Sequence, residues 1–140
     1  MSNKLSAADT ISEHIAAYGK YVINNLFPSH LDGLKKVHRR LILSTPIDKE
    51  LQSDSVVSET KKKHPHSPES IYDAACRLES PFIQPYPLFT IIGKGSAYGG
   101  DQPSASRYTK LGLSEFTKDM FFRDIDLRTI ATEEGEDLTS

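Results

Sequence analysis

A tyrosine directly follows an arginine in Ser104-Ala105-Ser106-Arg107-Tyr108-Thr109, just downstream of a glycine-rich run, Gly93-Lys94-Gly95-Ser96-Ala97-Tyr98-Gly99-Gly100. A phenol with an ordinary pKa near ~10 is protonated at neutral pH, so one that attacks as a nucleophile needs a cation or base beside it. Arg107 is such a cation. Its guanidinium also matches the paired oxygens of a phosphate, whose charge otherwise repels an incoming oxygen. Tyr108 is therefore a candidate nucleophile for phosphoryl transfer. The plainer reading of Arg107-Tyr108-Thr109 is a strand, since Tyr and Thr favour strands.

Further groups able to hold phosphate lie in two cationic clusters, Lys35-Lys36-Val37-His38-Arg39-Arg40 and Lys61-Lys62-Lys63-His64-Pro65-His66. Residues 1–110 carry 14 Lys/Arg against 11 Asp/Glu, and residues 111–140 carry 3 against 8, so a net charge of −2 conceals a basic body and an acidic end. A polyanion suits the clusters, but the isoelectric point near 6.2 is low for a nucleic-acid-binding domain, and each cluster alone reads equally as a solvated helix face. His38, His64 and His66 could ligate zinc; in so basic a setting, histidines facing phosphate fit better. The glycine run matches neither common phosphate-binding fingerprint. A P-loop needs glycine at 88 and Ser/Thr at 95, where Leu88 and Gly95 stand, and a dinucleotide motif needs glycine at Tyr98.

The 140 residues make one ordinary domain, 37% apolar and 26% charged, within the globular range. A lone Cys76 excludes an internal disulfide and fits a reducing, intracellular setting, with the thiol read as packing. No apolar run is long enough to cross a bilayer and the N-terminus lacks a secretory apolar segment, so no membrane partner is expected.

Several elements must position these groups. Ile11, Ile15, Tyr18 and Val22 recur at helical spacing within a helix over 6–24, ended by Pro28. Asp32-Gly33 predicts a turn with Asp32 as N-cap of a second helix over 34–44, whose inner face is Leu34, Val37, Leu41 and Leu43 and whose solvent side is Lys35, Lys36, Arg39 and Arg40. Residues 45–60 are polar, with Val56-Val57 anchoring a short helix. Ser67-Pro68-Glu69 is a strong helix start, leading to an inner face of Ile71, Ala74, Ala75 and Leu78 with Tyr72 and Asp73 on the surface. Prolines 81, 85 and 87 predict an extended connection into the glycine run. Ser114 caps a helix to about Arg123 with Phe116, Met120 and Phe121 inward, Leu127 to Ala131 forms a short strand, and Glu133 to Asp137 frays. The sum is an α+β arrangement, a strand pair beside a helical core.

The ordered set Asp32-Gly33-Leu34-Lys35-Lys36-Val37-His38-Arg39-Arg40, His64-Pro65-His66, Ser70-Ile71-Tyr72-Asp73, Pro81-Phe82, Tyr86-Pro87-Leu88 and Ala105-Ser106-Arg107-Tyr108-Thr109 resembles the DNA-cleavage (A) subunit of bacterial-type type IIA topoisomerases, DNA gyrase and topoisomerase IV. The likeness runs from about residue 10 to about residue 137, with a gap between Arg40 and His64. It implies a helical arm over 1–27 and, over 28–140, a winged-helix domain with a helix-turn-helix core and a short β wing. Tyr108 would attack the DNA backbone, leaving a 5′-phosphotyrosine and a free 3′-hydroxyl, with Arg107 stabilising the phosphate charge. Lys35, His38, His64 and His66 would line the DNA backbone, with Arg39 and Lys94 counted among the phosphate-binding residues. The family's magnesium sits in an acidic cluster on the ATPase subunit, so Mg2+ would arrive in trans and ATP would be used by the partner. Asp124-Ile125-Asp126 reads as solvated surface. The implied partners are double-stranded DNA, that ATPase and metal-binding subunit, and a second copy in a homodimer; the implied place is the cytoplasm, at the nucleoid or in a host if viral.

Departures from the pattern keep a second reading open. Asn25 stands where the family has an arginine, Ser67-Pro68-Glu69 replaces Gly-Asp-Ser, and Gly93-Lys94-Gly95-Ser96 replaces Gly-Asn-Phe-Gly. Glu69, in place of the serine that with Asp73 anchors quinolones, implies poor quinolone sensitivity. Residues 41–63 are shortened where the family's groove-entering helix belongs, and the tower, coiled coil and exit gate are expected to be missing. The alternatives are a cleavage module active only with partner chains, and a non-catalytic winged-helix DNA-binding protein or inactive fragment.

Overall fold

A computed structural model describes residues 6–95 and 102–123. The expected strand over 127–131, the Asp124/Asp126 pair, the acidic end and residues 96–100 of the glycine run lie outside the described residues. The chain forms two compact units, Met1–Lys36 and Val37–Ser140.

In the first unit, α1 (Ala7–Asn25) begins at a reciprocal capping box: Asp9 N donates to Ser6 Oγ at 3.2 Å and Ser6 N donates to Asp9 Oδ2 at 3.2 Å. The expected apolar stripe is present, but α1 buries none of its residues, and Ile11, Ile15 and Tyr18 are exposed. Asp32 does not cap a helix. Its Oδ1 accepts from the Leu34 amide at 2.9 Å, an Asx turn completed by Gly33 at a φ of 70°.

The second unit is a winged helix built from α2 (Lys36–Ser44), β1 (Leu51–Gln52), α3 (Ser53–Lys63), α4 (Pro68–Glu79), β2 (Phe89–Ile92), β3 (Lys110–Leu113) and α5 (Glu115–Phe122). The sheet is antiparallel in the order β1-β3-β2, with Leu111 opposite both Leu51 and Ile91. The wing is the connection from β2 to β3, and α3 and α4 form the helix-turn-helix. The α+β winged-helix expectation holds. The strands differ from those expected: β2 comes from the end of the proline-rich connection, and β1 adds a third from the polar stretch before α3.

The core is Leu41 and Ile42 of α2, Val56 and Val57 of α3, Ile71, Ala75 and Leu78 of α4, and Phe89, Leu111 and Leu113 of the sheet. Burial of each large aliphatic or aromatic side chain contributes about 1.5–3 kcal/mol. In α2, Ile42 rather than Leu43 turns inward, and Lys36, Arg39 and Arg40, like Lys35 just before the helix, are half-buried rather than lying along an open face. α3 has three full turns. α4 starts as expected, Ser67 Oγ accepting from Ser70 N at 3.2 Å with Pro68 in the first turn. Tyr72, however, is buried rather than on the surface. Burial pushes the Cys76 thiol up to about 11, in keeping with packing. In α5 the inward residue is Thr117, whose hydroxyl donates to the Leu88 carbonyl at 2.7 Å, while Phe116 and Met120 are exposed.

Candidate nucleic-acid interface

Arg107-Tyr108 is not strand. Ser106–Tyr108 is a single 3-10 turn, closed by Tyr108 N donating to the Ala105 carbonyl at 2.9 Å, and β3 begins two residues later. Strand preference gives way because the turn is held from beneath. Residues 52–54 each reach it: Gln52 Nε2 donates to the Arg107 carbonyl at 2.7 Å, Ser53 N to the Thr109 carbonyl at 2.9 Å, and Ser106 Oγ to Asp54 Oδ1 at 3.4 Å.

Thr109 is the anchor. It is 1% exposed, and its hydroxyl donates to Ser53 Oγ at 2.8 Å and lies 2.9 Å from the Tyr72 phenol oxygen, which also stands 2.9 Å from the Ser104 carbonyl. β3, α3 and α4 thus meet at one buried hydroxyl cluster. Gly93, at a φ of 111°, passes beside it; a Cβ there would lie 3.2 Å from Thr109 Cγ2 and 3.4 Å from the Tyr108 carbonyl oxygen. The wing's base is closed by Ser104 N donating to the Lys94 carbonyl at 2.8 Å.

Above this base Tyr108 is 71% exposed, its ring 4.9 Å from the Arg107 guanidinium carbon. A cation stacked on an open phenol is available both to an incoming phosphate and to negative charge developing on the phenol oxygen. Lys94 is exposed within the wing.

The histidines form a separate cluster. His64 ends α3, its amide donating to the Thr60 carbonyl at 2.9 Å, and its ring is 4.2 Å from that of exposed His66. Arg40 Nη1 reaches His64 Nδ1 at 2.8 Å. A guanidinium can only donate, so Nδ1 is an acceptor and Nε2 of the neutral ring carries the proton. Burial, then the neighbouring His66 and Arg40, push His64 down to about 4. His64 therefore offers a neutral N–H donor at physiological pH. Arg40, expected only as part of a solvent face, is the residue that fixes it; the signal in the sequence is its place three positions after Val37, too close to the inward face for open solvent.

His38 and Arg39 are half-buried on α2, while Lys35 belongs to the first unit. Lys61, Lys62 and Lys63 fill the last turn of α3, where cations favour the helix C-terminus, and Lys62 pairs with Glu59 at 2.6 Å. On α4, Glu69 and Asp73 are exposed one turn apart, Asp73 paired with Arg77 Nη2 at 2.9 Å. In the first unit, Asn25 Nδ2 donates to the Tyr21 carbonyl of its own helix at 3.0 Å.

The 3-10 turn lies at the N-terminal end of α3 and His64 at its C-terminal end, separated by roughly 16 Å along an 11-residue helix. Within one chain His64 and His66 thus lie apart from Arg107 and Tyr108. Among the described residues no three of His, Cys, Asp or Glu converge as a group that could hold a metal ion. No helix among them is long and apolar enough to cross a membrane.

Residues 27–137 match the family model that describes the A subunit of DNA gyrase/topoisomerase IV. The chain is 34% identical over 117 residues to the DNA gyrase A protein of Borreliella burgdorferi, covering 78% of this chain and 14% of that protein. It is 33% identical over 140 residues to the DNA topoisomerase 4 A protein of Streptococcus pneumoniae, covering 93% and 17%, and 31% identical over 135 residues to the Staphylococcus epidermidis protein of that name, covering 91% and 17%. The chain therefore spans about a sixth of the length of these relatives. A winged helix whose wing presents an arginine-stacked tyrosine, matched over most of its length to that model, belongs to the DNA gyrase/topoisomerase IV A-protein family.

Proposed function

We propose that this chain is a DNA-binding and DNA-cleavage module of a type IIA topoisomerase, with Tyr108 as nucleophile. Tyr108 Oη passes its proton to solvent and attacks a backbone phosphorus; the bond from phosphorus to the 3′-oxygen breaks and that oxygen takes a proton from solvent, leaving a 5′-phosphotyrosine and a 3′-hydroxyl. The reverse attack reseals the strand. Arg107 neutralises charge on the phosphate as it approaches and offsets the charge that develops on the phenol oxygen. The observation that carries this reading is the exposed Tyr108 phenol with the Arg107 guanidinium 4.9 Å from its ring, on a turn fixed by buried hydrogen bonds.

His64, His66, Arg39, His38, Lys35 and Lys94 serve as phosphate contacts, His64 as a neutral donor. Because His64 and the Tyr108 turn stand at opposite ends of α3, both can grip one phosphate only if a second copy supplies one of them. That supports a homodimer on double-stranded DNA. On this reading the divalent ion and the ATP are supplied by a partner protein.

The test mixes the chain with supercoiled DNA, magnesium and a cognate ATPase partner, then traps with detergent. A covalent adduct that Tyr108→Phe removes is expected; no such adduct would sink the proposal. One observation favours the second reading, a non-catalytic DNA-binding protein: Asn25, where the family has an arginine, turns its amide back onto its own helix. DNA binding without any adduct would establish that reading.

A further inference from the structure

Gln52 is exposed and last in a two-residue strand, so neither core packing nor strand length explains its side-chain hydrogen bond. Its Nε2 donates at 2.7 Å to the Arg107 carbonyl, 55 residues further along the chain. That carbonyl belongs to the peptide unit joining Arg107 to Tyr108. The N–H of the same unit donates to the Ala105 carbonyl at 2.9 Å within the turn, so Gln52 holds its other end, and together the two bonds restrict the dihedral angles on both sides and the directions in which the flanking Cα–Cβ bonds leave the backbone. The backbone of Gln52 is meanwhile registered opposite Lys110 of β3, two residues beyond Tyr108. One residue thus ties the sheet to the peptide between the cation and the phenol.

We propose that Gln52 is a positioning residue for Tyr108, setting the orientation of the Arg107–Tyr108 peptide and through it the aim of the phenol and of the stacked guanidinium. This rests on the reading of Tyr108 as nucleophile. The buried Thr109 cluster fixes where the turn is, the Tyr108–Ala105 bond closes it, and Gln52 ties its facing to the sheet. A displacement on the order of 1 Å at a reacting group can cost about a hundredfold in rate, so loss of this bond shows in cleavage before it shows in folding.

The experiment compares wild type with Gln52→Ala and Gln52→Glu, both in the full chain. Glu keeps the length and shape of Gln but replaces the donor with a carboxylate, which cannot donate to the carbonyl. Both variants are expected to keep the wild-type unfolding midpoint and DNA affinity while adduct formation at saturating DNA slows by about tenfold or more. Hydrogen exchange at the Tyr108 and Thr109 amides is expected to quicken about fivefold, with β3 beyond Lys110 unchanged, as befits loss of one local hydrogen bond. A Gln52→Glu variant that cleaves at the wild-type rate overturns the proposal, as does a rate loss matched by a lower midpoint or weaker DNA binding. If wild type forms no Tyr108-dependent adduct, the nucleophile reading fails on its own account. Amide exchange then decides the positioning claim: quickening confined to the turn supports it, and no change overturns it.

Discussion

Arg40 donates from Nη1 to Nδ1 of His64 across 2.8 Å, joining α2 to the end of α3 and holding a buried imidazole in its neutral form. The unfolded imidazole titrates near 6.5 and the folded one at about 4. Between those values the unfolded chain binds the extra proton, so this contribution is complete above pH ~6.5, falls as pH drops and is gone below ~4. The loss reaches at most about 3 kcal/mol. Urea unfolding at pH 7, 5.5 and 4 checks it, with His64→Gln expected to flatten the decline.

Arg40→Leu should raise the His64 pKa, because a neighbouring positive charge is removed, yet leave it below the ordinary value, because burial is the larger cause. An NMR titration of the imidazole reads this directly. A pKa that stays near 4 would show that the guanidinium does not act on the ring.

Thr109→Val retains shape but removes a hydroxyl shared between Ser53 and Tyr72. The expected cost is about 1–3 kcal/mol, since polar atoms on α3 and α4 lose a buried partner, and Thr109→Ser should restore most of it. Chemical denaturation distinguishes the two variants.

Gly93→Ala places a side chain at a φ of 111° with its Cβ 3.2 Å from Thr109 Cγ2. Destabilisation of about 1–3 kcal/mol is expected from the backbone alone. An unchanged melting temperature would mean that the wing relaxes around that position.

Tyr108→Phe, by contrast, should leave stability within about 0.5 kcal/mol, because the phenol is 71% exposed. Measured beside the adduct assay, it separates loss of chemistry from loss of fold.

Local capping makes α4 legible from Ser67-Pro68-Glu69 alone, and the apolar spacing of α1 marks that helix. α3 is nearly silent in the sequence, because Ser53 and Thr60 occupy fully buried positions and break the apolar period. Thr60 is accommodated there by donating to the Val56 carbonyl at 2.8 Å, a bond that no periodicity encodes. β1 exists only through pairing with a strand about sixty residues away, which local preference cannot register. Tyr72 reads as a surface residue because aliphatic neighbours fill the inner face; its ring is buried and its hydroxyl joins the polar cluster beside Thr109. The chemistry of Arg107-Tyr108 is readable from residue type, whereas its 3-10 shape depends on Gln52 and Thr109 closing around it.

The Thr109 cluster has a mechanical consequence. A strand end attached covalently to Tyr108 would pull on the wing whenever the DNA moves, and a flexible hairpin would yield to that tension. One residue along the chain, the load divides: along β3 into the sheet, through Ser53 into α3 and through Tyr72 into α4. Force on the tethered strand is thereby spread over three elements of the domain, so the helices would travel with the DNA end instead of letting the wing peel away.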